Sequence, residues 1–204
     1  PVHILTIEDP VEYLHHHKMA MINQREVGTD VRSFSQGLKS ALREDPDVVL
    51  LGEMRDLESM EISLSLAETG HLVFATLHTN DAAQSLDRII DVFPADRQAQ
   101  IRIQLAASLS AVVAQRLVPR VGGGMIAAFE ILRGNSATRA LIREGKTHQI
   151  RNVISQSVRE GMQTMEQSLS VLISHGLITY EEGLAQALVP ADVKPPAAVP
   201  GARL

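Results

Sequence analysis

Cysteine is absent from the 204 residues, and so is tryptophan. Without thiols the chain can build neither a disulfide framework nor a thiolate zinc site. Aromatic residues make up only 3%, so Leu, Ile, Val, Ala and Met have to fill the core. No apolar run approaches the roughly 20 residues that a membrane-spanning helix needs. The opening Pro1-Val2-His3-Ile4 lacks the charged-then-apolar pattern of a signal peptide. A basic excess is missing too: the formal net charge is -5, which speaks against a general nucleic-acid binder. What is present is ordinary globular material, 45% hydrophobic and 21% charged, in a length that suits one domain with a smaller appendage.

Strand and helix patterns alternate in the first half. The β-branched run 3–8 (HILTIE) reads as a strand entered midway, and 19–23 (MAMIN) as a weaker one. Ser33 with Gln36 forms a capping-box pattern ahead of a helix reaching about Glu44, stopped by Pro46. The run VVLLG at 48–52 is almost wholly apolar, as in a strand covered on both faces. Asp56 can cap the next helix, whose stripe is Leu57, Met60, Leu64 and Ala67 and whose end is Gly70. HLVFATL at 71–77 is a further strand. This alternation predicts parallel βαβ units.

Helices are expected to dominate thereafter. Ile101, Leu105, Leu109 and Val112 share a face of a long helix after Pro94. Gly122-Gly123-Gly124 make a turn before a last strand, 125–132. Short helices are predicted around 137–144, 147–157 and 162–175, the last with a stripe of Met162, Met165, Leu169 and Leu172, closed by Gly176; Thr179 with Glu182 starts another. Residues 189–204 form a Pro/Ala-rich tail, expected to be disordered.

Three strands end on polar residues: HILTI leads to Glu8 and Asp9, VVLLG to Glu53, HLVFATL to His78. In a parallel sheet all carboxyl ends share one edge, and ligands of open α/β sheets bind outside it. Glu8, Glu53 and His78 are therefore expected to meet in one crevice. Two carboxylates and an imidazole there can bind a divalent cation, activate a water or read a phosphate; each residue alone can equally be a cap or a satisfied core group.

The stretches ILTIEDPVEY (4–13), LREDPDVVLLGEMRD (42–56) and TGHLVFATLHTNDA (69–82) resemble, in order and spacing, the aspartate box, Walker B region and histidine box of the secretion and type IV pilus ATPase superfamily. NQREVGTDVRSF (23–34), RLVPRVGGG (116–124) and ATRALIREGK (137–146) resemble its pilus-retraction, twitching-motility motors above all. In the last of these Thr138 and Ala140 stand where Ile and Asn are usual. The likeness runs from residue 1 to about 188. It implies a RecA-like three-layer α/β core with a mostly parallel sheet over 1–133, and a helical C-terminal subdomain over 134–188. It implies a cytoplasmic homohexamer, peripheral to the inner membrane, that hydrolyses ATP with Mg2+ to drive pilus retraction. Its implied partners are a membrane platform protein and other pilus motor subunits, with no nucleic acid. Glu8 would polarise the attacking water, Glu53 would hold magnesium through a water, and His78 would contact the γ-phosphate. Asp9, Arg55 and His71 would order the site. Extension and type II secretion motors commonly carry a tetracysteine insertion, which the lack of Cys counts against.

One family element is missing. No G-x-x-x-x-G-K-[ST] string, whose backbone N–H groups cradle phosphates, occurs in the chain. In the family that loop precedes the aspartate box, so the chain is expected to be a fragment inactive by itself; a scaffold that has lost the loop is the rival reading. Two further features are read plainly. His15-His16-His17 fits a solvated turn better than a metal site. Arg139, Arg143, Lys146 and Arg151 are expected to form a solvated face.

Overall fold

The computed structural model describes residues 2–196. Two compact units are present, one made of the chain up to His78 with Asp87–Ser108, the other of Thr79–Leu86 with Leu109 onward.

The first unit is built on a four-stranded, wholly parallel sheet. Its strands are β1 (His3–Glu8), β2 (Met21–Glu26), β3 (Val48–Leu51) and β4 (Leu72–Ala75), in spatial order β2-β1-β3-β4. Between them run α1 (Phe34–Ala41) and α2 (Leu57–Glu68). Leu5, Ile7, Val49 and Leu51 are fully buried, as strands covered on both faces require. Ile7, Val49 and Leu51 pack with Phe34 and Leu38 of α1 and Leu66 of α2. β4 is an edge strand and leaves Leu72 and Phe74 exposed.

Local chemistry fixes the helix starts. Ser33 caps α1 by accepting from the Gln36 N–H at 3.2 Å; Gln36 Oε1 reaches back to the Arg32 N–H rather than to Ser33, at 3.2 Å. Asp56 caps α2 through the Ser59 N–H at 2.8 Å. The buried face of α2 is Ser59, Met60, Ser63, Leu64 and Leu66, with Leu57 and Ala67 of the expected stripe only half-buried. The face turns because α2 packs against α1, β4 and α4 (Ala95–Ser108) together. Arg97 of α4 pairs with Glu61 of α2 at 2.7 Å.

The second unit holds the strand expected at 125–132 and corrects the expectation of a long helix running on through Val112. Residues 111–119 are not the end of a long helix but a strand, β5 (Ala111–Pro119), paired antiparallel with β6 (Met125–Arg133). Leu109 lies beyond α4, and Val112 faces Leu132 across the ladder. Gly122, Gly123 and Gly124 all take positive φ, from 76° to 105°, and make the hairpin turn. At the base of the hairpin a Cβ on Gly134 would lie 2.0 Å from the Leu109 carbonyl oxygen, so only glycine fits.

Helices α5 (Ser136–Arg143), α6 (Ile150–Gln156), α7 (Met165–Ser174) and α8 (Tyr180–Gln186) complete this unit, and α3 (Ala82–Asp91) runs from it into the first. Val118 and Ala128 of the hairpin share a core with Met165, Leu169 and Ile173 of α7 and with Ile178 and Val193. Residues 189–194, expected in the tail, are instead held down: the Leu188 and Val189 N–H groups donate to Glu166 Oε1 at 3.0 and 2.9 Å. Residues 197–204 of that tail lie outside the described residues. Nor do all four basic residues at 139–151 form a solvated face. Arg139 donates to the Gly134 and Leu109 carbonyls, and Arg151 pairs with the buried Glu166 at 2.9 Å and with Asp192 at 2.8 Å. Arg143 and Lys146 are exposed.

Candidate active site

The strand order places a topological switch beside β1: the chain leaves β1 for β2 on one side and adds β3 and then β4 on the other. A crevice is expected outside the carboxyl ends of the strands at such a point. A cavity of about 230 Å3 lies there, lined by Glu8, Asp9, Pro10, Glu12, Phe34, Gly52 and Glu53. Ile7 is level with Leu51, and Leu51 with Ala75, so the residues that follow these strands emerge side by side. The Gly52 N–H donates to the Ile7 carbonyl at 2.8 Å and the Met54 N–H to the Thr76 carbonyl at 3.0 Å. A Cβ on Gly52 would lie 3.2 Å from Glu8 Cα. This tight approach favours glycine at position 52.

Glu53 is 9% exposed and is gripped from both sides. Arg55 Nη2 meets Oε2 at 2.5 Å, and His78 Nε2 pairs with Oε1. The Arg55 hydrogen bond holds the Glu53 carboxyl below the usual carboxylate range; burial opposes it and the His78 contact adds to it. The Arg55 guanidinium is raised in turn, first by the same hydrogen bond. Glu8, half-buried, accepts from Thr6 Oγ1 at 2.5 Å and from Gln24 Nε2 at 3.0 Å, both on Oε1. Asp9 is exposed at the cavity mouth.

Glu8, Asp9 and Glu53 thus line one cavity, while His78 and Arg55, at the same edge of the sheet, are not among its lining residues and meet it through Glu53. His71 does not join them. It precedes β4 instead of following it, and its Nδ1 lies 3.0 Å from both the Leu66 carbonyl and Thr69 Oγ1 at the end of α2. Glu12 is not among the residues that sequence reasoning singles out, although it is the third carboxylate of the same EDPVE run, after Glu8 and Asp9, and lines the cavity. His15, His16 and His17 are exposed. Among the described residues no three His, Asp or Glu side chains are grouped to hold a metal.

Gly145-Lys146-Thr147 carry the last three positions of a phosphate-binding loop. The position where that loop has its first glycine is Ala140, inside α5. The segment follows a helix rather than a strand, Lys146 pairs with Glu144 at 2.8 Å, and Thr147 opens a single 3-10 turn. It is not a phosphate cradle.

Residues 1–123 match the Type II/IV secretion system protein family. The type IV pilus retraction ATPase PilT of Pseudomonas aeruginosa is 50% identical over 190 residues, 93% of this chain and 55% of PilT. A twitching motility protein of Neisseria gonorrhoeae is 52% identical over 188 residues, 92% of this chain and 50% of that protein. The chain therefore spans about half the length of the curated relatives it matches. The crystal structure of the pilus retraction motor PilT with bound ADP superposes with a TM-score of 0.86 at 49% identity, over 94% of this chain and 54% of that one. The Legionella pneumophila ATPase DotB superposes at 0.81 with 27% identity, over 91% and 52%. No helix among the described residues is long and apolar enough to cross a membrane. With its parallel-sheet crevice and this likeness over most of its length, the chain belongs to the Type II/IV secretion system protein family.

Proposed function

We propose that the full-length protein is an ATPase of a ring assembled from copies of itself, six by family resemblance. Its hydrolytic cycle withdraws pilin subunits from a type IV pilus at the cytoplasmic face of the inner membrane, docked on a membrane platform protein. One observation carries this reading: Glu8 and Glu53, 45 positions apart in the sequence, line one cavity at the switch point, with Glu53 held between Arg55 and His78. A carboxylate so held stays ionised and fixed in direction, which suits charge stabilisation in the transition state. Glu8, with one oxygen tethered to Thr6 and Gln24, is positioned to accept a proton from an attacking water. His78, joined to Glu53, is exposed and available to a γ-phosphate. Asp9 orders the mouth of the site.

The donor set fits Mg2+ in an outer-shell manner. A lone carboxylate between a guanidinium and an imidazole is no cage for a bare ion, but it suits an ion that keeps its own waters and is held by substrate phosphates. Glu53 would hold it through water, and the ion would supply charge neutralisation at the transferred phosphoryl group. Glu12 carries a second reading of the water-activating role: it lines the same cavity, is exposed, and has none of the tethers that hold Glu8.

Glu8→Gln, Glu12→Gln and Glu53→Gln in the full-length gene product separate these roles. Phosphate release and nucleotide affinity are measured under one magnesium concentration. Glu8→Gln is expected to lower turnover by about 10²–10⁴-fold with nucleotide binding retained. Glu53→Gln is expected to stop turnover and shift the magnesium dependence. If Glu8→Gln hydrolyses like the parent and Glu12→Gln does not, the water-activating role passes to Glu12.

A further inference from the structure

Gln24 lies in the NQREVGTDVRSF stretch without being singled out as a site residue, yet its carboxamide makes three hydrogen bonds beside the crevice. It lies in β2, level with Thr6 of β1, and Glu26 is level with Glu8. Its Nε2 donates to Glu8 Oε1 at 3.0 Å and to the Tyr13 carbonyl at 2.9 Å. Its Oε1 accepts from the His15 N–H at 2.7 Å. A carboxamide has two N–H donors and one oxygen, and here both donors and the oxygen are engaged. The three partners also fix its orientation: with oxygen and nitrogen exchanged, an oxygen would face a carboxylate and a carbonyl. Two residues on, Glu26 Oε2 accepts from the Val11 N–H at 3.0 Å. Strand β2 therefore holds the segment after β1 at Val11 and again at Tyr13 and His15. Glu12, between these points, lines the cavity.

We propose that Gln24 is a positioning residue for hydrolysis, orienting the Glu8 carboxylate while anchoring the segment that carries Asp9 and Glu12 over the crevice. This rests on the reading of the crevice given above. Two donors, Thr6 Oγ1 and Gln24 Nε2, converge on Glu8 Oε1. Thr6 sits within β1 itself and can fix the carboxylate only relative to its own strand. Gln24 fixes it relative to the loop, so that Glu8 and Glu12 keep one spacing across the cavity. Touching neither substrate nor water in this role, Gln24 should act on the chemical step and leave nucleotide binding alone.

The test uses Gln24→Met, which keeps length without hydrogen bonds, and Gln24→Glu, which keeps the acceptor for His15 but loses both donors. Both are measured in the full-length gene product with Mg-ATP. The expected result is a kcat about 10- to 100-fold lower with KM for ATP within about twofold, and Gln24→Glu at least as slow as Gln24→Met because two carboxylates then oppose each other. A purely structural glutamine would lower the melting temperature and leave the kcat of the folded fraction intact. Either folded variant turning over within about twofold of the parent overturns the proposal. Should Gln24→Met fail to fold, Gln24→Glu, closer in size and polarity, carries the test. Glu8→Gln, run alongside, keeps the two ideas apart. If it stays active, the reading of Glu8 falls. If it is dead while the Gln24 variants are normal, only the role of Gln24 falls.

Discussion

Glu130, 3% exposed in β6, accepts the Ala82 N–H at 2.8 Å and titrates under opposing influences. Burial pushes its carboxyl up. The Ala82 N–H pulls it down, Asp81 pushes it up, Arg151 pulls it down and Glu166 pushes it up; burial prevails and the net direction is upward. Below the unfolded-state value of about 4.3 the side chain is neutral in both states and costs nothing. As the pH rises from there through the folded value, the unfolded chain ionises first, so folding stability falls; above the folded value the loss is complete and constant. Glu130→Gln keeps an oxygen for the Ala82 N–H and cannot ionise. Denaturant midpoints should therefore coincide for parent and variant near pH 4, with the variant more stable at pH 7. A variant less stable at pH 7 would mean that the ionised form is the anchored one. Glu53 shows the opposite direction, with Arg55 and His78 beside it. Ionisation is thus favoured at Glu53 beside the crevice and disfavoured at Glu130 in the second unit.

At the scale of elements, α7 rests on a complete capping box. Thr164 Oγ1 accepts from the Gln167 N–H at 3.2 Å while Gln167 Oε1 accepts from the Thr164 N–H at 2.9 Å. Thr164→Ala should cost about 1 kcal/mol, read as a lower denaturation midpoint with the far-ultraviolet circular dichroism unchanged. A neutral result would mean that packing of Met165 and Leu169 alone holds the helix start. Local devices of this kind are what a sequence displays best: Ser33, Asp56 and Thr179 cap the helices their positions announce. The strand ends at Glu8, Glu53 and His78 are legible for the same reason, because apolar runs stop there. Strand β5 is not legible. Leu105, Leu109 and Val112 continue a helical spacing, and what makes 111–119 a strand is its partner β6, which follows only after the glycine turn. The sequence pattern puts β2 at 19–23, but the strand spans Met21–Glu26. Its polar end is held by the ladder to β1 and by bonds from Gln24 and Glu26 that no local pattern shows. Glu12 and Gln24 escape a sequence reading for that reason: their importance lies in where a non-local neighbour puts them.

At the scale of the whole molecule, this chain holds the carboxylate side of the crevice without a phosphate cradle. No G-x-x-x-x-G-K-[ST] string is present, and Gly145-Lys146-Thr147 follows a helix, with Lys146 engaged by Glu144. In the role proposed for them, the carboxylates would orient a water only where a phosphate is held in line with it. Much of the catalytic advantage of a phosphoryl-transfer site is positioning and preorganised charge. The purified 204-residue chain should therefore release phosphate from Mg-ATP at least about 10³-fold more slowly than the full-length gene product. It should also bind nucleotide weakly, because the loop and the metal supply most of the binding contacts. Phosphate release is measured at equal subunit concentration, with the Glu8→Gln form of the chain as the background. If the chain matches the full-length product, and Glu8→Gln removes that activity, a cradle exists within these residues and the Gly145 segment is the first place to look for it. If the chain is inert, as expected, the residual rate should be the same for the parent chain and its Glu8→Gln form, since a base with no held phosphate has nothing to act on.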